Sequence, residues 1–151
     1  MREHINFGFV GIGLIGGSVA KALRRVYPSC KIIVYNRSAE PRVMAINDGT
    51  ANVAVPQVNK TFNECDYIFL CTPVEKNVEY LKILKDIIKD DCIITDVGSV
   101  KGNIHKAVEE LGLEKNFIGG HPMAGSEKTS YTYANDRLVE NAYYAITPTD
   151  A

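Results

Sequence analysis

Two stretches of this 151-residue chain carry residue types that chemistry can use. In Gly119-Gly120-His121-Pro122-Met123-Ala124-Gly125-Ser126-Glu127, one imidazole stands between two glycines and a proline. Glycine permits unusual backbone angles and close approach, and a following proline restricts His121 to an extended backbone. The expectation is a stiff loop that presents an imidazole, whose ordinary pKa of about 6.5 suits it to accept a proton at neutral pH. A lone loop histidine is more often structural or solvated than catalytic, so chemistry alone leaves both readings open. His4 is terminal and His105 falls in a helical pattern, so neither has this case.

The second stretch is Gly11-Ile12-Gly13-Leu14-Ile15-Gly16, a G-x-G-x-x-G loop. Alone the pattern is weak. Here an apolar run precedes it, a helical pattern opens at Leu14 and Ile15, and a second strand ends some twenty residues on, which is the context of dinucleotide binding. Gly11 is expected to make the tight turn, Gly13 to let a pyrophosphate approach the backbone, and Gly16 to let the helix pack on the sheet. The helix N-terminus then offers free N–H groups and partial positive charge to the phosphates.

The residue ending the second strand selects the nucleotide, because a carboxylate there binds the ribose hydroxyls of NAD and repels a 2′-phosphate. This chain has Asn36-Arg37-Ser38 instead. Asn36 is uncharged, Arg37 suits a phosphate or an adenine ring, and Ser38 adds a hydroxyl, so NADP is favoured over NAD. Cys71-Thr72-Pro73 follows another apolar run and should line the path towards the nicotinamide, with Pro73 in the first turn of a helix. Ser99, in Asp96-Val97-Gly98-Ser99-Val100-Lys101, is placed to cap the next helix, and capping there does not exclude contact with a ligand.

These residues need elements to hold them. Ile5–Val10, Lys31–Tyr35, Tyr67–Cys71, Cys92–Thr95, Phe117-Ile118 and Tyr143–Thr147 read as strands. Leu14–Tyr27, Pro41–Asp48, Val74 to about Lys89, and a pattern from Val100 to Leu111 read as helices. Strand and helix alternate, which predicts an α/β, Rossmann-type, doubly wound and mostly parallel sheet with helices on both faces in a single domain over 1–151. The polar stretch 128–135 has no period and reads as a loop.

The composition narrows the function. Hydrophobic residues make up 46% and charged residues 23%, enough for a packed core, and a formal charge of −1 offers no field for nucleic acid or an anionic membrane. Cys30, Cys65, Cys71 and Cys92 form neither a Cys-x-x-Cys pair nor a zinc-finger spacing, so no metal site is expected. Their use as core residues, together with an N-terminus lacking a signal-peptide pattern, points to the cytoplasm.

GIGLIGGS at 11–18, CTPV at 71–74, DVGSVKG at 96–102 and GGHPMAGSE at 119–127, in that order, resemble the prephenate/arogenate dehydrogenase family of tyrosine biosynthesis. The resemblance implies oxidative decarboxylation of prephenate to 4-hydroxyphenylpyruvate with reduction of NAD(P)⁺. It implies that His121 draws the proton from the ring hydroxyl and that Ser99 assists there and at the nicotinamide. It also implies that Ser126 and Glu127 stand at the mouth of the substrate pocket. The family continues into a helical dimerisation domain that supplies an arginine to the substrate. On this resemblance the chain is expected to lack that domain and to bind cofactor with little turnover, and the full-length protein to be a homodimer. Arogenate as substrate, a β-hydroxyacid-type dehydrogenase and a nucleotide-sensing module without catalysis are the alternatives.

Overall fold

The structure, a computed structural model, describes residues 4–98, 101–123, 130–140 and 142–149. Its elements run β1 (Asn6–Val10), α1 (Leu14–Val26), β2 (Lys31–Tyr35), α2 (Ala39–Asn47), β3 (Val53–Val55), β4 (Tyr67–Leu70), α3 (Val74–Leu84), β5 (Ile93–Asp96), α4 (Gly102–Leu111), β6 (Phe117–Pro122) and β7 (Tyr144–Pro148). The seven strands form one sheet in the order β3-β2-β1-β4-β5-β6-β7. All neighbours pair in parallel except β6 and β7, which are antiparallel. The order reverses between β1 and β4, and a sheet of this kind binds ligands at that switch, beyond the carboxyl ends of its strands.

Successive strand residues point to opposite faces, and both faces are apolar. Ile32 and Val34 join Phe7, Phe9, Val19 and Ala45 in a core under α1 and α2. Ile33 and Tyr35 join Ile68, Leu70, Leu81, Ile94 and Ile104 in a second core under α3 and α4. Burial on both faces is why the strands read as continuous apolar runs.

Beyond shifts of one or two residues at element ends, the structure departs from the sequence reading in four places. β3 is an additional strand of three residues, too short to show a period. α3 stops at Leu84 instead of Lys89, and the Ile87 and Ile88 N–H groups both turn back to the Leu84 carbonyl. β6 does not end at Ile118 but runs through the glycines and His121, because β7 pairs along it to Pro122. Finally, the stretch expected to be a loop includes a 3-10 turn, Tyr131–Tyr133, whose Tyr131 is only 3% exposed. The Tyr131 hydroxyl donates to Asp48 at 2.7 Å, Lys21 bonds the same carboxylate at 2.8 Å, and the Asn135 N–H donates to the Ser18 hydroxyl at 3.1 Å. This strap lies against α1, in space left by Gly17: a Cβ there would come within 2.6 Å of the Tyr131 ring.

Candidate functional site

The glycine loop is built from three strands. Gly11 has φ +96°, a left-handed conformation that favours glycine, and its N–H donates to the Tyr35 carbonyl at 2.8 Å. A Cβ on Gly11 would stand 2.7 Å from the Thr72 methyl, and one on Gly16 would stand 2.6 Å from the Gly11 carbonyl oxygen. α1 therefore approaches the sheet as closely as its backbone allows. Gly13 is the N-cap of α1, with no side-chain cap and no acidic residue in the first turn. That end keeps its N–H donors and positive dipole for an anion.

Asn36 has a structural job that its type alone did not reveal. Its Oδ1 accepts from the Ile12 N–H at 3.2 Å, tying the glycine loop to the end of β2, and its Nδ2 donates to the Ser38 carbonyl at 3.2 Å. Arg37 and Ser38 are exposed beside it. A cleft of about 480 Å³ opens here, lined by Tyr35, Asn36, Arg37, Thr72, Pro73, Lys76 and Tyr80. Lys76 and Tyr80 were not found from sequence, because they lie on α3, some forty residues from Arg37. The Tyr35 and Tyr80 hydroxyls meet at 2.6 Å, and burial together with that bond pushes the Tyr80 phenol up to about 12. The Tyr80 phenol on the cleft wall is therefore neutral at physiological pH.

Thr72 is locked in place, since both its N–H and its hydroxyl donate to the Asn77 side-chain oxygen. Asn77 is fully buried and is a second residue the sequence did not single out. Pro73 is the N-cap of α3, one position before the first turn expected for it. The Cys71 thiol is pushed far above its ordinary range by burial and then by Asp96, so it carries no thiolate for nucleophilic work.

His121 is half-buried on β6, paired with Ala145 of β7. It is on a strand, not in the loop expected, and its Nδ1 lies 3.5 Å from the Val97 carbonyl, the outer limit of a hydrogen bond. Close approach explains the preceding glycine: a Cβ on Gly120 would meet the Tyr144 hydroxyl at 2.5 Å and the Asp96 carbonyl at 2.9 Å. Because β1, β4, β5 and β6 are parallel, the glycine loop, Thr72, the stretch after Asp96 and His121 come together at one sheet edge. Ser99, Ser126 and Glu127 lie outside the described residues. Among the described residues, no group of three or more His, Cys, Asp and Glu side chains could hold a metal ion, and no helix is long and apolar enough to cross a membrane.

Comparison with known proteins fits this geometry. The family described as prephenate dehydrogenase, nucleotide-binding domain, matches residues 19–151. Prephenate dehydrogenase of Lactococcus lactis is 38% identical over 141 residues, which cover 91% of this chain and 39% of that protein. Prephenate dehydrogenase of Aquifex aeolicus, solved in complex with hydroxyphenyl propionate and NAD⁺, superposes with a TM-score of 0.89 at 37% identity, covering 97% of this chain and 51% of the other. Arogenate dehydrogenase of Synechocystis gives 0.88 at 34% identity, covering 97% and 51%. The chain thus spans about two-fifths of the length of the curated relative and half of the solved ones. With a G-x-G-x-x-G loop at the switch point of a Rossmann sheet and a histidine on the same edge, this chain belongs to the family of prephenate dehydrogenase nucleotide-binding domains.

Proposed function

We propose that this chain is the cofactor-binding part of a prephenate dehydrogenase acting in tyrosine biosynthesis. The observation that carries the reading is His121 at the carboxyl edge of β6, on the edge that also holds the glycine loop and Thr72. The residues present fit a dinucleotide: crowded glycines, an uncapped helix N-terminus and a cleft lined by Asn36, Arg37 and Thr72. When bound, the nicotinamide supplies a hydride acceptor. Gly11, Gly13, Leu14, Ile15 and Gly16 would hold the pyrophosphate, and Cys71, Thr72 and Pro73 would border the nicotinamide side.

His121 accepts the proton of the substrate's ring hydroxyl. Its Nδ1 faces the Val97 carbonyl, which favours the tautomer with hydrogen on Nδ1 and leaves Nε2 as the base. Ser99 assists at the same hydroxyl, and Ser126 and Glu127 border the substrate. Oxidation at that carbon gives a ketone conjugated with the two ring double bonds, and the electron pair freed as CO₂ leaves the adjoining saturated carbon passes through them to the carbonyl oxygen, which takes up a proton as the ring becomes aromatic. The protein's work is therefore positioning and one proton transfer.

The nucleotide is NADP in this reading. Asn36 adds no charge against a 2′-phosphate, none of the described residues lining the cleft is acidic, and Arg37 is joined there by Lys76. NAD⁺ is the second reading, favoured by the A. aeolicus relative solved with it. The reading extends to a cytoplasmic, homodimeric full-length protein. The apolar groove of about 350 Å³ between α1 and the start of β7, lined by Leu23, Val26, Tyr27 and Tyr143 among others, supports a further domain packing there.

The test is turnover of prephenate by the full-length protein, followed at the reduced nicotinamide. Turnover of arogenate instead would move the assignment to arogenate dehydrogenase, and turnover of neither would refute the dehydrogenase reading. For the nucleotide, Arg37→Ala should weaken NADP⁺ about tenfold or more, from the loss of a charge-assisted bond. Unchanged NADP⁺ affinity would refute the phosphate role.

A further inference from the structure

β5 and β6 pair at only two positions, Ile94 with Phe117 and Thr95 with Ile118. Beyond Ile118, β6 is held by β7 on one side, and its ladder to β5 has ended. A side-chain assembly takes over at that point. Asp96, 0% exposed, accepts from the Gly120 N–H through Oδ1 at 3.1 Å. Its Oδ2 accepts from Lys101 Nζ at 2.7 Å and from the Gly98 N–H at 3.3 Å. Lys101, whose side chain is 14% exposed, also donates to the carbonyls of Gly98 and Gly120. Both backbone groups of Gly120 are thereby captured, one by each member of the ion pair.

We propose that the Asp96–Lys101 pair positions the His121 imidazole, by clamping the end of β6 through Gly120 and the stretch Asp96–Gly98 that carries the Val97 carbonyl. Both ends of the Nδ1–carbonyl contact are then set by one assembly: His121 follows Gly120, and Val97 lies between Asp96 and Gly98, whose N–H and carbonyl the pair holds. A buried ion pair is a poor source of stability, because desolvation offsets much of its attraction. Its hydrogen bonds are directional, and here they converge on the backbone that aims the imidazole. Neither residue needs to touch substrate, so both are positioning residues. The inference rests on the reading of His121 as the proton acceptor.

The experiment uses the full-length protein. Lys101→Met removes three donors at nearly constant volume, and Asp96→Asn/Lys101→Met does so without stranding a buried carboxylate. The paired variant carries the test if the single one does not fold. The expected result is a fall in kcat of about tenfold or more, as for a displaced catalytic group, with the nucleotide Kd within about threefold of wild type. In a His121→Asn background the same change should lower kcat by less than about twofold, because residues acting as a unit are non-additive. A paired variant with wild-type kcat, or an equal fold-loss in both backgrounds, overturns the inference. If the wild-type protein turns over neither prephenate nor arogenate, the functional reading fails, and the imidazole ¹⁵N shifts of His121 then decide. One Nδ1–H tautomer in the wild type, lost in the paired variant, supports positioning; identical shifts overturn it.

Discussion

Asn36→Asp should shift the balance of the two nucleotides towards NAD⁺, and the size of the shift follows from contacts at the end of β2. Aspartate can still accept from the Ile12 N–H, so the tie to the glycine loop survives, but the donation to the Ser38 carbonyl is lost. That loss costs stability of about 1 kcal/mol. The new carboxylate lies in the cleft beside Arg37. A 2′-phosphate about 5 Å from it meets repulsion of roughly 1 kcal/mol per unit charge at the dielectric of water and about 3 kcal/mol at an effective dielectric near 20. NADP⁺ should therefore bind about 5- to 150-fold more weakly, while NAD⁺ gains an acceptor for its ribose hydroxyls. Calorimetric titration of both nucleotides into wild type and variant, at low and at physiological salt, reads the change directly. The NADP⁺ penalty should shrink with salt, since the cleft edge is solvated. A ratio of the two affinities that moves by less than about threefold would refute the reasoning. Equal weakening of both nucleotides would show a deformed glycine loop and not phosphate repulsion.

Three further outcomes are expected. His121→Asn in the full-length protein should lower kcat by about a hundredfold or more, with the KM for nucleotide unchanged; equal activity in steady-state assays would remove the histidine from the mechanism. Gly120→Ala should cost about 1–3 kcal/mol, because the Asp96 carbonyl 2.9 Å from the new Cβ is backbone and cannot swing aside; a thermal midpoint equal to wild type would contradict the geometry. Burial would raise Asp48, but Lys21, Thr50 and Tyr131 together hold its carboxyl down to about 2. A depressed carboxyl contributes stability that is full above the unfolded value near 4 and is lost as pH falls through about 2. With the side chain 36% exposed, the contribution is discounted to roughly 1 kcal/mol. Asp48→Asn should cost that much in urea melts at pH 7 and about half of it at pH 3, and a cost independent of pH would rule out the charge as its origin.

The helices, most strands and the glycine loop were legible because their signals are local. Apolar period and glycine placement within a dozen residues suffice for β1, α1 and β2. His121 was legible as a residue but not as part of a strand. Its neighbours Gly119, Gly120 and Pro122 read as loop formers, and the pairing that makes them a strand comes from β7, more than twenty residues later. Asp96 and Lys101 read as ordinary polar residues in a turn, since their shared partner Gly120 is about twenty residues away. Tyr131 sat in a stretch without period, and its burial depends on Asp48 and on the missing side chain of Gly17. Lys76 and Tyr80 look like an exposed helix face until β2 brings Arg37 alongside. Contacts that join distant segments are the class that local pattern does not encode.

The glycine loop takes its shape from partners that are synthesised late. Gly11 bonds Tyr35, Ile12 bonds Asn36, and the floor beneath Gly11 and Gly16 is Cys71 and Thr72, sixty residues downstream. Parallel pairing across such separations is slow to form, because chain entropy must be spent before the contacts exist. An anion-binding loop cannot mature during folding until β4 has docked beside β1. Nucleotide capture during refolding is therefore a clock for completion of the central sheet: it should lag the recovery of helix and keep pace with the burial of Phe69 against Phe9, whose rings stack at 4.9 Å across that same pair of strands.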